Sequence, residues 1–114
     1  MSVVQIRVLG GEVARVSNAA TAFAHRDRPM IVNVVAAYSD RSQRPEHEEW
    51  ADSVQESVRV GDRGAYVNFH ADDSEPSLRD IYPGATWHRL VQVKKDYDPD
   101  NLFQSNHNIV PGDR

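Results

Sequence analysis

The chain has 114 residues and no cysteine, which predicts one domain and excludes a disulfide framework, a thiolate zinc site and a cysteine nucleophile. A hydrophobic content of 39% with 26% charged residues is typical of a globular protein. The formal net charge of −4 and the scattered basic residues argue against a nucleic-acid partner, since phosphate binding needs clustered lysine and arginine.

The first third of the chain predicts a β-hairpin followed by a buried strand. Residues 3–9 alternate between apolar and polar side chains, which is the pattern of a half-buried strand. The pair Gly10-Gly11 separates this run from a second alternating run over residues 12–16, so we expect a tight hairpin turn. After a connection over residues 17–28, residues 30–38 are apolar on both faces and predict a central strand covered on both sides.

Helices are predicted in the second half of the chain. Pro45 suits the first turn of a helix, and Gly61 suits its end. One stripe of this helix recurs every four residues and is expected to face a core: Trp50, Val54 and Val58. A short helix is predicted over residues 75–82 with Ser74 as its cap, and a longer helix over residues 86–96, with Trp87 in the core.

The segment from residue 97 onward predicts a turn and an irregular tail to Arg114. Asp98-Pro99-Asp100-Asn101 is typical of a turn with proline at its second position, and we expect Phe103 to fill a core after it. With the strand described next, the element order predicts one α+β domain over residues 1–114. In this fold an antiparallel sheet carries two main helices packed on one face.

The run AYVNFH, residues 65–70, predicts a strand that carries the candidate site residues. A two-residue period places the side chains of Tyr66, Asn68 and His70 in a row on one face. A tyrosine can act as a general base, and an amide can orient a substrate or a cofactor. The alternative is a solvated sheet face, because any exposed strand shows the same alternation of polar residues.

The remaining polar residues do not define a site by themselves. Five histidines lack the spacing of metal ligands, so no metal site is predicted: His25, His47, His70, His88 and His107. We interpret His25-Arg26 as a charged surface loop in preference to an anion site. The tail residues 106–108 either bind a ligand or another domain, or tie the tail to its own backbone.

Two separated runs of this sequence resemble the berberine-bridge-enzyme-like C-terminal region of FAD-linked oxidases, of bacterial type. These runs are AYVNF and RLVQVKKDYDPDNLFQSNHNIVP, and the similar region spans residues 64–111. The residues that carry the resemblance are Tyr66, Asn68, Phe69, Arg89, Leu90, Lys94, Tyr97, Asp98, Pro99, Asn101, Phe103, Asn108, Ile109 and Pro111. The upstream runs IRVLGGEVARV and TAFAHRDRPMIVNVVAAY are similar to the last part of the substrate domain, so the resemblance covers nearly the whole chain.

The resemblance implies an FAD-dependent oxidoreductase that oxidises an alcohol, an amine or a sugar-type substrate by hydride transfer to flavin. It implies that Tyr66 is the catalytic base or a substrate contact and that Asn68 contacts the flavin or the substrate. It also implies that the tail around Asn108, a second cofactor-binding candidate, packs back toward the flavin domain. His70 is a further substrate-binding candidate from its place in the same row. Some members have a second tyrosine where this chain has Phe69, which removes one candidate base.

The flavin domain of that family is not recognisable here, because no glycine-rich pyrophosphate loop is present. We therefore expect FAD to be bound mainly by a domain or subunit outside this chain, and the isolated chain to be inactive. A face that once met such a domain favours a homo-oligomer.

The alternative is a stand-alone α+β module that binds a ligand or dimerises without enzymatic activity, or a structural remnant without a ligand. No apolar run reaches membrane-spanning length, and the first residues lack the pattern of a signal peptide. A cytoplasmic location, with no membrane partner, is the expectation.

Overall fold

A computed structural model of the chain describes residues 1–61, 63–72 and 74–112. The end of the predicted tail, Asp113 and Arg114, lies outside the described residues, as do Asp62 and Asp73. The elements in chain order are β1 (Ser2–Val8), α1 (Glu12–Arg15), β2 (Met30–Ala36), α2 (Arg44–Val58), α3 (Glu75–Ile81) and α4 (Ala85–Tyr97). Two 3₁₀ turns cover Arg41–Gln43 and Val67–Phe69. One antiparallel sheet with several helices confirms the α+β class.

The sheet joins β1 to β2, so the predicted hairpin is wrong. The two strands pair antiparallel from Ser2 opposite Ala36 to Val8 opposite Met30. The expected partner, residues 12–16, instead forms the helical turn α1. Gly11 has a φ of 53°, a backbone conformation that suits glycine and turns the chain out of an extended path.

The exposure of both strands also differs from the prediction. The predicted strand over residues 30–38 is confirmed over Met30–Ala36, but it is only half-buried. Among the residues that the structure describes, β2 has β1 as its single strand neighbour, so a central position is wrong. All of β1 is exposed, and the exposed fraction along one face rises to 62% at Ile6 and 83% at Val8.

The helix α2 confirms the helix predicted from Pro45, and it packs against β2. Its His47 ring stacks on Tyr38 with centroids 5.7 Å apart and hydrogen-bonds Ser2 at 3.4 Å. These contacts place the start of α2 beside the start of β1. The helix ends at Val58, because Arg59 is already extended, so Gly61 lies beyond the helix end.

A small core forms where α3 and α4 meet. Leu78, Ile81 and Trp87 are buried there, as predicted for Trp87, and Ile109 of the tail packs against them. Ser74 is the residue that caps α3, as predicted, although its side chain makes no capping hydrogen bond. The core therefore joins the two helices predicted in the second half of the chain to the tail.

His25 attaches the segment between the strands to this core, so its interpretation as a surface residue is wrong. The side chain is buried, and its Nε2–H donates to the carbonyl oxygens of Asp80 at 3.1 Å and Ile81 at 3.2 Å. Two carbonyls at the end of α3 have no partner within the helix, and an imidazole donor satisfies them.

The turn after α4 is built on the buried carboxylate of Asp98. It accepts hydrogen bonds from Leu102 N at 2.7 Å, from Phe103 N at 3.0 Å and from the Lys94 ammonium group. Asn101 N closes the predicted turn on the Asp98 carbonyl at 3.0 Å. The Phe103 ring, however, is 81% exposed, so the expectation that it fills a core is wrong.

Replacing Leu78 by alanine is expected to destabilise the domain by about 2–5 kcal/mol, since Leu78 is 1% exposed and its removal leaves a cavity. Chemical denaturation measures this free energy. Leu102→Ala is the matched control because Leu102 is exposed, and it should change stability by less than about 0.5 kcal/mol. Equal effects of the two substitutions would contradict the assigned core.

Asp98→Asn is expected to lower the stability of the chain at neutral pH, since it removes the charge that Lys94 and two amides share. The hydrogen bond from Lys94 and those from the two amides outweigh burial and hold the pKa of Asp98 below its ordinary value. A lowered pKa stabilises the fold above the unfolded-state pKa of about 3.9, and this stabilisation is lost as the pH falls through the lower folded-state value.

The midpoint of urea denaturation, measured between pH 7 and pH 3, tests this pH dependence. The wild-type chain should have the higher midpoint. The difference in midpoint between it and Asp98→Asn should be constant near neutral pH and should become smaller in acid. Asp52→Asn removes the same charge from an exposed position on α2 and should show no such difference. A difference in midpoint that became larger in acid would contradict the lowered pKa of Asp98.

Candidate functional site

An open pocket of about 240 Å³ lies beside the sheet and contains Tyr66. Its walls come from the end of β1, from α1, from the connection before β2, from β2 and from the 3₁₀ turn after residue 66. The lining residues are Arg7, Leu9, Val13, Phe23, Arg26, Ile31, Tyr66 and Phe69. Most of the wall is apolar, which is typical of a site for a small organic molecule.

The sheet and the 3₁₀ turn together explain why these residues meet. Arg7 is directly opposite Ile31 in the ladder, so both side chains leave the same face of the sheet. Residues 65–70 do not form the predicted strand, because Val67–Phe69 is a 3₁₀ turn closed by hydrogen bonds within the segment. A 3₁₀ turn has three residues, so Tyr66 and Phe69 point to the same side.

The correction changes which side chains are neighbours. A period of two would place Tyr66, Asn68 and His70 in one row, but a period of three brings the rings of Tyr66 and Phe69 together, 5.2 Å apart at 78°. Phe23 contacts the other side of Tyr66, with centroids 5.7 Å apart at 82°. Edge-to-face contacts of this kind are favourable and fix the orientation of the Tyr66 ring.

Asn68 still reaches Tyr66 through its side chain. The Asn68 Nδ2 group donates a hydrogen bond to the Tyr66 hydroxyl oxygen at 2.6 Å. A donor at this oxygen is the arrangement that stabilises negative charge there. The structure therefore brings Tyr66 and Asn68 together, although Asn68 does not line the pocket itself.

A second phenol, that of Tyr82, lies close enough to Tyr66 for a charge on Tyr66 to affect the pKa of Tyr82. Burial, and then the charge of the ionised Tyr66 phenol, raises the pKa of Tyr82 above its ordinary value. The Tyr82 phenol therefore keeps its proton to a higher pH than an exposed tyrosine does.

His70 and the tail form a separate group of contacts. The His70 ring hydrogen-bonds the Ser77 hydroxyl of α3, and His107 Nε2 donates to the His70 carbonyl at 2.9 Å. Asn106 and His107 have φ values of 47° and 50°, a left-handed conformation that turns the tail back toward this segment. Neither His70 nor Asn108 lines the pocket, and the Asn108 Oδ1 atom is buried without a partner in the described residues.

The positive charges at the pocket were missed in the sequence. Arg7 lies over the Phe69 ring, 4.5 Å from its centroid, and Arg26 lies 5.4 Å from the centroid of Phe23. No motif marks these two arginines, because they come from two separate segments, β1 and the connection before β2. In the sequence, the pair His25-Arg26 was the one signal in this region, and there it was interpreted as a surface loop.

Other kinds of site find no support in the described part of the chain. Over residues 1–61, 63–72 and 74–112, no three histidine or acidic side chains are grouped as metal ligands would be. No helix within these ranges is long and apolar enough to cross a membrane.

Comparison with known proteins finds relatives over nearly the whole chain. Residues 65–110, which include Tyr66 and the tail, match the family described as berberine and berberine like. The chain is 30% identical to a carbohydrate oxidase from Microdochium nivale over 120 residues, which cover 94% of this chain and 23% of the oxidase. It is 29% identical to an FAD-linked oxidoreductase from Bacillus subtilis over 105 residues, which cover 92% of this chain and 23% of that protein.

A third relative is a chitooligosaccharide oxidase from Gibberella zeae, 27% identical over 116 residues. This match covers 94% of the chain and 24% of that oxidase. The chain thus spans about a quarter of the length of the relatives that it matches.

Removing the His107 side chain is expected to loosen the segment that carries Tyr66. In His107→Ala the His70 carbonyl loses its donor, so amide hydrogen exchange over residues 66–70 should become roughly fivefold faster, the effect of one hydrogen bond. Exchange followed by mass spectrometry measures this change. His88→Ala, at an exposed position on α4, is the control and should leave the segment unchanged. Unaltered exchange in both variants would mean that the tail does not hold this segment.

Proposed function

We propose that this chain is the C-terminal substrate-domain portion of an FAD-dependent oxidoreductase, because residues 65–110 match the berberine and berberine-like family. The proposed reaction is oxidation of an alcohol, an amine or a sugar-type substrate by hydride transfer to the flavin. The observation that supports it is the Tyr66 hydroxyl, held by Asn68 in the wall of a small aromatic pocket.

The pocket is too small for FAD and suits a substrate that lies beside the flavin. The rings of Phe23, Tyr66 and Phe69 and the apolar residues beside them suit the flat body of a small molecule. The sequence has no glycine-rich loop to bind the pyrophosphate. FAD would therefore be held mainly by a separate FAD-binding domain or subunit, and this chain would add contacts from Asn68 and Asn108.

Asn108 supports this role through its unsatisfied amide oxygen. A buried acceptor without a partner costs free energy, and a donor from the flavin or its domain would remove that cost. A flavin held there would supply the acceptor for the hydride of the substrate carbon. On this view the isolated 114 residues have no oxidase activity, because the group that accepts electrons is bound elsewhere.

The residues of this chain would handle the proton of the same reaction. In its phenolate form Tyr66 takes the proton of the substrate hydroxyl or amine, at the oxygen atom to which Asn68 donates a hydrogen bond. The aromatic walls orient the substrate. His70 contributes through the position of its backbone, since its ring is hydrogen-bonded to Ser77.

The second candidate function is a ligand-binding or dimerisation module without enzymatic activity. The exposed apolar face of β1, which includes Ile6 and Val8, favours dimerisation, because a second copy of the chain could cover that face. We propose a homo-oligomer for a chain that exists alone. The cytoplasmic location stays a prediction from the sequence.

Tyr66→Phe is expected to slow substrate-dependent flavin reduction at least about 100-fold in the complete flavin-containing protein, since it removes the general base. The measurement is anaerobic bleaching of the flavin absorbance with a panel of sugars, alcohols and amines. Tyr97→Phe removes a hydroxyl from an exposed residue outside the pocket and should leave the rate unchanged. A rate unchanged in Tyr66→Phe would refute the base assignment.

A further inference from the structure

The pocket carries two positive charges that proton transfer and hydride transfer do not require. The chain as a whole has a net charge of −4, yet Arg7 and Arg26 both line the pocket and no acidic residue does. In the part of the chain that the structure describes, neither arginine forms an ion pair. The local charge is therefore opposite in sign to that of the molecule.

The hydrogen bonds of Arg26 leave its charge uncompensated. Its Nη2 donates to Thr21 Oγ1 at 2.8 Å and its Nη1 to the Val13 carbonyl at 3.4 Å, both neutral acceptors. The Nε atom is buried and has no partner among the described residues. A partly buried charge with neutral partners favours the approach of an anion, because desolvation without an opposite charge is costly.

Arg7, which also lines the pocket, has neutral partners as well. Its Nε donates to the neutral Gln5 side chain at 3.0 Å, and its guanidinium group lies over the Phe69 ring. A guanidinium group stacked on a ring keeps its outer N–H groups for a carboxylate, which it can bind through two parallel hydrogen bonds. The two arginines and the aromatic wall thus suit a molecule with a flat apolar body and an anionic end.

We propose that this pocket binds a small organic acid, with its ring or planar body against Phe23, Ile31 and Tyr66 and its carboxylate toward Arg7 and Arg26. The inference rests on the proposed function, because it gives the substrate class of the same pocket. The volume of about 240 Å³ lies below the roughly 300–1,000 Å³ of sites for drug-sized ligands, so a single-ring molecule fits best. The same charges could bind the phosphate of a nucleotide, and the test separates the two sources.

Titration calorimetry of the 114-residue chain with phenylacetate tests the proposal directly. Phenylacetate should bind, phenylacetamide should bind at least about tenfold more weakly, and the affinity for phenylacetate should fall as salt is raised. Equal affinity for the acid and its amide would overturn the proposal. Displacement of phenylacetate by inorganic phosphate or FAD at equal or lower concentration would also overturn it, since the anion would then be a phosphate.

Two substitutions connect the binding to the arginines. Arg7→Gln and Arg26→Gln should each weaken phenylacetate binding about tenfold, the effect of a lost charged hydrogen bond. Arg41→Gln removes the same charge outside the pocket and should have no effect. Arg7 lies on the exposed strand β1, so Arg7→Gln is expected to fold. If Arg26→Gln fails to fold, the affinity of Arg7→Gln for phenylacetate tests the assignment. Wild-type affinity in a folded Arg7→Gln would refute the assignment.

The two proposals fail in different ways. If phenylacetate binds through Arg7 while no flavin-containing form of the protein exists, the oxidoreductase function fails and the acid-binding pocket stands. If flavin reduction depends on Tyr66 and phenylacetate does not bind, the substrate class fails and the oxidoreductase function stands.

Discussion

The carboxylate of Asp98 reverses the chain after α4, and the second half of the structure depends on this reversal. Two backbone amides and the Lys94 ammonium group converge on it, and Lys94 also donates to the Phe103 carbonyl at 2.6 Å. The tail is thereby sent back over α3, where Ile109 packs on the core and His107 binds the His70 carbonyl. An aspartate at the end of a helix thus supports the segment that presents Tyr66.

The short turn that follows Tyr66 positions the rings of Tyr66 and Phe69 in the wall of the pocket. Ala65 and Val67 pack against the core, which anchors the segment on one side. The three-residue repeat then places the rings of Tyr66 and Phe69 on the other side, toward the sheet. A phenol clamped between two phenylalanines, with an amide donor on its oxygen, is a preorganised arrangement for stabilising charge at a fixed point.

The sequence predicted what depends on local spacing and missed what depends on distant partners. The helices α2, α3 and α4 and the strand β2 were found because their periodicity and end residues are local signals. The segment over residues 12–16 alternates like a strand, but β1 pairs with β2 instead. The 3₁₀ turn at Val67–Phe69 was missed for the same reason: alternation predicts a strand only where a neighbouring strand supplies hydrogen bonds. The pocket arginines lie 19 residues apart in the sequence and meet only through the fold.

The proposed function requires a flavin-binding partner, either as a portion of the same polypeptide or as a separate subunit. Native mass spectrometry of all species that contain this sequence, isolated from their own cells, tests this requirement. We expect a mass that includes a flavin and a larger flavin-binding polypeptide or segment. A colourless assembly composed only of this chain, with no flavin mass, would contradict it.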